Sequence, residues 1–189
     1  GNMLDDCANV NAGITGGAAT VGASYDFGNG FTAATGFQTD STVAGTFTDE
    51  SLDAFAFNAA YIADSYGVSL TYGVVETSSL EEDKYTAFNA YYTPEGYLPS
   101  ISVGYETGDI GGAAATADEK TSFMVGLSWD EVGPGSAGIA LGHSSTLESA
   151  EEEYQYEAYY SYPVNDGMTI TPLIFTKENS TASKDDTTG

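Results

Sequence analysis

Along most of the chain apolar and polar residues alternate one by one. In Glu151 to Tyr162, EEEYQYEAYYSY, the residues Tyr154, Tyr156, Ala158, Tyr160 and Tyr162 would share one face of a strand, and Glu153, Gln155, Glu157, Tyr159 and Ser161 the other. A helix turns about 100° per residue and would scatter those tyrosines around its cylinder, so the segment is read as β. The same alternation sets Phe55, Phe57, Ala59 and Tyr61 against Ala56, Asn58 and Ala60, and Val68, Leu70, Tyr72 and Val74 against Ser69, Thr71 and Gly73. It continues with Ile101, Val103 and Tyr105 against Ser100, Ser102 and Gly104, and with Phe123, Val125, Leu127 and Trp129 against Met124, Gly126 and Ser128. The second face is small and polar each time. Each run is about ten residues long, the length at which a tilted strand crosses a bilayer. The first strand, placed roughly at Asn11 to Tyr25, is so rich in Gly and Ala that its register is weakly specified.

Turn signals of two kinds separate the runs. Short ones, DFGNGF, ADSYG, TPEGY, DEVGPGS and PVNDG, carry the Gly, Asn, Asp and Pro of tight hairpins. Between them fall longer polar stretches, Thr39 to Ser51, Glu76 to Lys84, Glu106 to Lys120 and Ser144 to Glu152, which are expected to be long loops. A strand, a short turn and a strand repeat in AFNAAYIADSYGVSLTYG from Ala56, AFNAYYTPEGYLPSISVGY from Ala87 and YEAYYSYPVNDGMTITPLIF from Tyr156. Repeated pairs of this kind predict an up-and-down antiparallel meander, with Asn58, Asn89 and Glu157 at equivalent inward positions.

Composition narrows the choice between a soluble sandwich and a membrane wall. The 28 acidic residues against four lysines and no arginine give a formal charge of −24, a surface that excludes nucleic acid as a partner because phosphate contacts need Lys and Arg. With 14 Tyr, 9 Phe and one Trp, the chain has the apolar content to fold despite that charge. No apolar run reaches the roughly 18 residues of a membrane-spanning helix, a test that a β-barrel does not have to meet. The one cysteine, Cys7, cannot form an internal disulfide. The chain opens on GNMLDD, with neither a charged n-region nor an apolar h-region, which is read as a cytoplasmic start or as the start of a fragment.

Two placements favour the membrane. Tyr61, Tyr92, Trp129, Tyr160 and Tyr162 all sit beside short turns, so folding the meander gathers them into a girdle at one end, where a barrel wall meets lipid headgroups. Almost all acidic residues fall in turns, long connections or the tail, leaving Glu157 as the sole carboxylate expected well inside a strand. The expected fold is therefore an all-β, antiparallel up-and-down transmembrane β-barrel, about ten strands of a larger porin barrel. The competing reading is a secreted or surface-exposed acidic β-protein with an adhesive or structural role.

The repeated FNAAYIADSYGVSLTYG and FNAYYTPEGYLPSISVGYETGD, with NDGMTITPLIF, resemble the barrel part of carbohydrate-selective porins of the OprB type, above all the branch of cyanobacterial iron-uptake porins. The likeness runs from about Ala8 to Thr176, and TITP at Thr169 to Pro172 is its most specific phrase. It implies a homotrimeric barrel of about 16 strands in a bacterial, cyanobacterial-type outer membrane, within the range known for porins. Residues 1–189 would then be a barrel domain truncated at both ends, without the signal peptide, the preceding S-layer-homology domain or the last strand that such porins carry.

Inward side chains decide what passes a pore, so Asn58, Asn89, Glu153, Gln155 and Glu157 are the candidate pore-lining residues. The expected function is passive diffusion of small hydrophilic solutes, sugars, inorganic ions or iron species, with cations preferred. No catalysis, cofactor or metal site is expected. His143 in LGHSS has adjacent serines, but a triad is built from spatial neighbours. GGAAATADEK lacks the pattern of a phosphate-binding loop, and the acidic runs EED and EEE are read as solvated loops.

Overall fold

The computed structural model describes residues 19–40, 52–78, 81–111, 118–179 and 186–189. Twelve strands make one antiparallel sheet: β1 (Ala19–Gly28), β2 (Phe31–Asp40), β3 (Leu52–Ile62), β4 (Tyr66–Ser78), β5 (Glu81–Tyr92), β6 (Ser100–Asp109), β7 (Glu119–Val132), β8 (Gly135–Leu147), β9 (Tyr154–Asn165), β10 (Met168–Ile170), β11 (Leu173–Lys177) and β12 (Thr187–Thr188). From β1 to β9 each strand pairs with the next in sequence, and β10 and β11 both pair with β9, interrupted at Thr171 and Pro172. Among the described residues there is no helix. The all-β, up-and-down architecture expected from the alternation is what the structure shows, in the form of a partial barrel wall.

Local chemistry explains the tight turns. At the β1–β2 hairpin Gly28, Asn29 and Gly30 all have positive φ, at 75°, 56° and 86°, and the Gly28 amide donates to Asp26 Oδ1 at 2.8 Å. Gly and Asn tolerate that left-handed backbone, which is why DFGNGF forms a turn. At the β9–β10 turn the Gly167 amide donates to Asn165 Oδ1 at 2.9 Å, again a side chain standing in for a backbone partner.

Three features differ from the sequence reading. The short β10, β11 and β12 bring the strand number to twelve, because Pro172 divides what reads as one final strand. Strand β1 is described from Ala19, and the expected strand start at Asn11, like Cys7, lies outside the described residues. Most consequentially, the strands run further than expected at the end opposite the short turns. Glu76 to Lys84 is not a long loop: β4 continues to Ser78 and β5 resumes at Glu81. Likewise β6 extends to Asp109 and β8 to Leu147. Of the four expected long loops, most of Thr39 to Ser51 lies outside the described residues.

The pairing is staggered in one direction. Phe31, Tyr61, Val68, Ala90, Val103, Val125, Leu141 and Tyr156 form one continuous rung from β2 to β9. Phe31 begins β2 at the short-turn end, whereas Tyr156 lies nine residues from the short-turn end of β9 at Asn165. Nine residues of about 3.3 Å against seven inter-strand steps of about 4.8 Å correspond to a slant of about 40°. Closing a sheet into a barrel requires a strand tilt of roughly 35–45°. The stagger is therefore that of a barrel wall.

Candidate functional site

The two faces of the sheet are chemically opposite. On one, Val68, Leu70, Phe88, Ile101, Tyr105, Val125, Ile139, Tyr156 and Ile174 stand exposed, Leu70 at 52% and Ile174 at 69%. Its border on the short-turn side follows the stagger. Phe31 and Tyr61 rings lie 4.6 Å apart, Tyr61 and Tyr66 rings 5.8 Å apart, and Tyr66 is paired to Tyr92. Further along, Trp129 and Tyr160 flank Ala137 on one rung, and the Tyr160 hydroxyl donates to Val132 O at 2.9 Å, holding the β7–β8 turn. Tyr162 follows two residues later on the same face, opposite Ile170. The four tyrosines and the tryptophan expected at this border thus share one face and one end.

A second aromatic line was not anticipated. Leu70, Phe88, Tyr105, Phe123, His143 and Tyr154 form a single rung across β4 to β9. Beyond it the same face turns polar, through Thr86, Thr107 and Thr121 and then Lys84, Asp109 and Glu119. His143 belongs to this line. Its ring meets Phe123 edge-on at 4.9 Å, and its Nδ1 lies 3.0 Å from Ser144 O. Glu152 accepts the Tyr154 hydroxyl at 2.6 Å and lies 3.9 Å from His143 Nε2. The neighbours are visible in the sequence only as Tyr and Phe two strands apart; the shared rung follows from pairing.

The opposite face is small, polar and much more buried. Gly67, Thr71, Gly73, Tyr85, Ala87, Gly104, Glu106, Gly108, Ser122, Gly126, Gly138, Gly142, Gln155 and Glu157 are all buried there. Three tyrosines lie flat across glycines of the neighbouring strand: Tyr91 over Gly67, Tyr85 over Gly108 and Tyr159 over Gly138. A ring laid on a glycine shields backbone that no Cβ covers, which helps this face become buried as the sheet curls toward it. Of the expected inward residues, Asn58, Asn89, Gln155 and Glu157 all project to this face, and Glu153 continues their alternation just ahead of β9. Asn58 Nδ2 donates to Thr71 Oγ1 at 2.8 Å, tying β3 to β4. Glu153 lies 3.9 Å from Lys177 Nζ.

Glu157 is not the sole carboxylate inside a strand. Glu106 in β6 and Asp83 in β5 also face inward, 1% and 7% exposed. Both were assigned to loops because their strands lose the apolar alternation at this end. Their inward series, Asn89, Ala87, Tyr85, Asp83 and Ser102, Gly104, Glu106, were the signals available. Asp83 is structural: Oδ2 accepts the Tyr85 hydroxyl at 2.9 Å and Oδ1 the Gly111 amide at 3.0 Å. Lys120 shares the inward face near Glu106, and Lys177 pairs with Gln155. Among the described residues no three His, Cys, Asp or Glu side chains converge on one point; the inward carboxylates are spread along the wall. No protein-family profile, curated protein or solved structure matches the chain.

Proposed function

We propose that this chain forms part of the wall of a transmembrane β-barrel pore in a bacterial outer membrane, passing small hydrophilic solutes by diffusion and preferring cations. The observation that carries the reading is the exposed apolar face, bordered by aromatic residues at both edges, on a sheet with the slant of a barrel. A protein in water rarely leaves more than a few hundred Å² of contiguous apolar surface uncovered. Lipid covers such a face at no cost, and Tyr and Trp at its edges suit the headgroup region. The opposite face, with Ser, Thr, Asn and inward carboxylates, suits a water-filled lumen. Asp83, Glu106 and Glu157 outnumber Lys120 and Lys177 on that face, and the acidic connections at the mouth add to a negative potential that concentrates cations. The OprB-type resemblance supplies the solute class, sugars, inorganic ions or iron species, and a homotrimer as the assembly.

The test is folding and conduction. The purified protein should fold into detergent micelles, run with heat-modifiable mobility on gels, and give discrete conductance steps in a planar bilayer. A protein that folds in water without detergent, stays monodisperse and gives no conductance would overturn the pore and favour the secreted, acidic β-protein.

A further inference from the structure

At the short-turn end, the β5–β6 turn and the end of β7 enclose a cleft of about 500 Å³, with Tyr97, Leu98, Ser100, Trp129, Asp130 and Glu131 among its walls. Ser100 pairs with Ser128, so the turn residues before Ser100 stand beside the β7 residues after Ser128. A regular strand sends adjacent side chains to opposite faces and would not bring Trp129, Asp130 and Glu131 to one cleft. Here the ladder slips: Trp129 pairs with Ala137 and Val132 with Gly135, so Asp130 and Glu131 oppose Ser136 alone. A bulge of this kind re-aims side chains, and bulges gather beside functional sites. Both walls are held in place. The Thr93 amide donates to Ser65 O at 2.6 Å on one side, and the Tyr160 hydroxyl to Val132 O at 2.9 Å on the other.

Clefts of roughly 300–1,000 Å³ are the size that takes a small molecule. The aromatic side of this one is Trp129 and Tyr97, the latter 88% exposed, and its polar side is two adjacent carboxylates without an ion pair among the described residues. The whole end is negative: the five short turns carry Asp26, Asp64, Glu95, Asp130, Glu131 and Asp166 and no lysine. Such a potential repels anions and concentrates cations. A bare metal ion needs a shell of oxygen ligands, and no three acidic or histidine side chains of the described residues converge on one point. An ammonium group on a carbon stem can use both walls, its N–H groups donating to the carboxylates and its charge and stem lying on the aromatic faces, of which indole is the best. We propose that this cleft binds the ammonium group of a small organic amine, held between Trp129 and Tyr97 and paired with Asp130 and Glu131. The site is built at the turn end alone and does not depend on the pore.

Trp129 is the one tryptophan of the chain, so its fluorescence reports on this cleft alone. The experiment titrates the protein, folded in nonionic detergent at pH 7, with n-butylammonium chloride against NaCl at equal ionic strength. Butylammonium should change the Trp129 emission and saturate, and NaCl should not. Asp130→Asn/Glu131→Gln should raise the half-saturating concentration about tenfold or more, the loss expected of charge-assisted hydrogen bonds. Asp166→Asn, an acid of the same end outside the cleft, should leave it unchanged. Tyr97→Ala, at a ring that already stands in water, gives a second reading free of any folding defect and should weaken binding severalfold. Vesicles of phosphatidylglycerol with and without phosphatidylethanolamine separate two sources of the ammonium group: a headgroup that fills the cleft raises the butylammonium concentration needed, a free amine as ligand leaves it unchanged, and the site stands in both cases. No saturable change in emission, an equal change with NaCl, or binding unaltered by Asp130→Asn/Glu131→Gln would overturn it. Should the protein prove soluble in water, the same titration is made without detergent, so loss of the pore reading and loss of the amine site are told apart.

Discussion

The ring of Tyr85 lies across Gly108 on the neighbouring strand, so closely that a Cβ added to the glycine would stand 2.5 Å from two ring carbons. The contact joins β5 to β6 on the inward face beside Glu106, and the same arrangement recurs at Gly67 and Gly138. Gly108→Ala is therefore expected to destabilise by about 1–3 kcal/mol, the range for forcing a packed side chain from its place. Removing the ring as well, in Gly108→Ala/Tyr85→Ala, should cost less than the sum of the single changes, because the clash disappears with it. Urea unfolding from lipid vesicles measures both; strict additivity would mean that ring and glycine do not interact.

The opposed faces make a second prediction with a built-in control. Leu70 and Ser69 are adjacent in β4 but project to opposite sides, Leu70 exposed among Val68, Phe88 and Tyr105 and Ser69 beside Asn89. If the apolar face meets lipid, Leu70→Arg should cost about 2–4 kcal/mol near the bilayer midplane, and Val125→Arg a similar amount. Ser69→Arg should be much milder, since a charge on that side can reach water. Equal costs at positions 69 and 70 would mean that the sheet is not embedded.

How far each segment could be read from sequence followed from what its residues have to satisfy. Between Tyr66 and Val74 one side of β4 must be apolar and the other small, so alternation marks the strand and its register at once. Past Val75 neither side has to be apolar, and Glu76, Thr77 and Glu81 look like loop residues although the backbone is still paired. The same loss of contrast hid Asp83 and Glu106. A polar strand and a polar loop differ only in backbone hydrogen bonds, which composition does not report. The cleft at Trp129 was hidden for another reason: it depends on a register slip in β7, and no residue in WDEVG marks which neighbour is extra. The short turns were legible because Gly28, Asn29 and Gly30 adopt backbone angles that few other residues tolerate.

The aromatic border offers a third test. The Tyr160 hydroxyl donates to Val132 O, at the turn that closes β7 against β8. Tyr160→Phe keeps the ring at the border and loses that bond, for an expected cost of about 0.5–1.5 kcal/mol. Tyr160→Ala removes ring and bond together and should cost clearly more. Matching losses for the two substitutions, read from urea midpoints in vesicles, would place the whole contribution in the hydroxyl and none in the ring at the interface.

Ion preference joins the inward face to function. Glu157 projects inward from β9, opposite Ala140 and Phe175, while the exposed acidic residues of the connections, such as Glu148 and Glu151, sit toward the mouth. Charge at the mouth is screened over a Debye length of about 10 Å at 0.1 M salt, so its share of the preference should fade as salt rises. A carboxylate on the wall of a narrower, less screened path should keep its effect longer. The reversal potential across a planar bilayer under a KCl gradient should therefore report cation preference in the parent, a reduced preference in Glu157→Gln, and a difference between the two that persists at salt concentrations where the mouth charge is screened. Anion preference in the parent at low salt would sink the assignment of sign, and a difference between parent and Glu157→Gln that vanishes together with the mouth contribution would place Glu157 outside the conduction path.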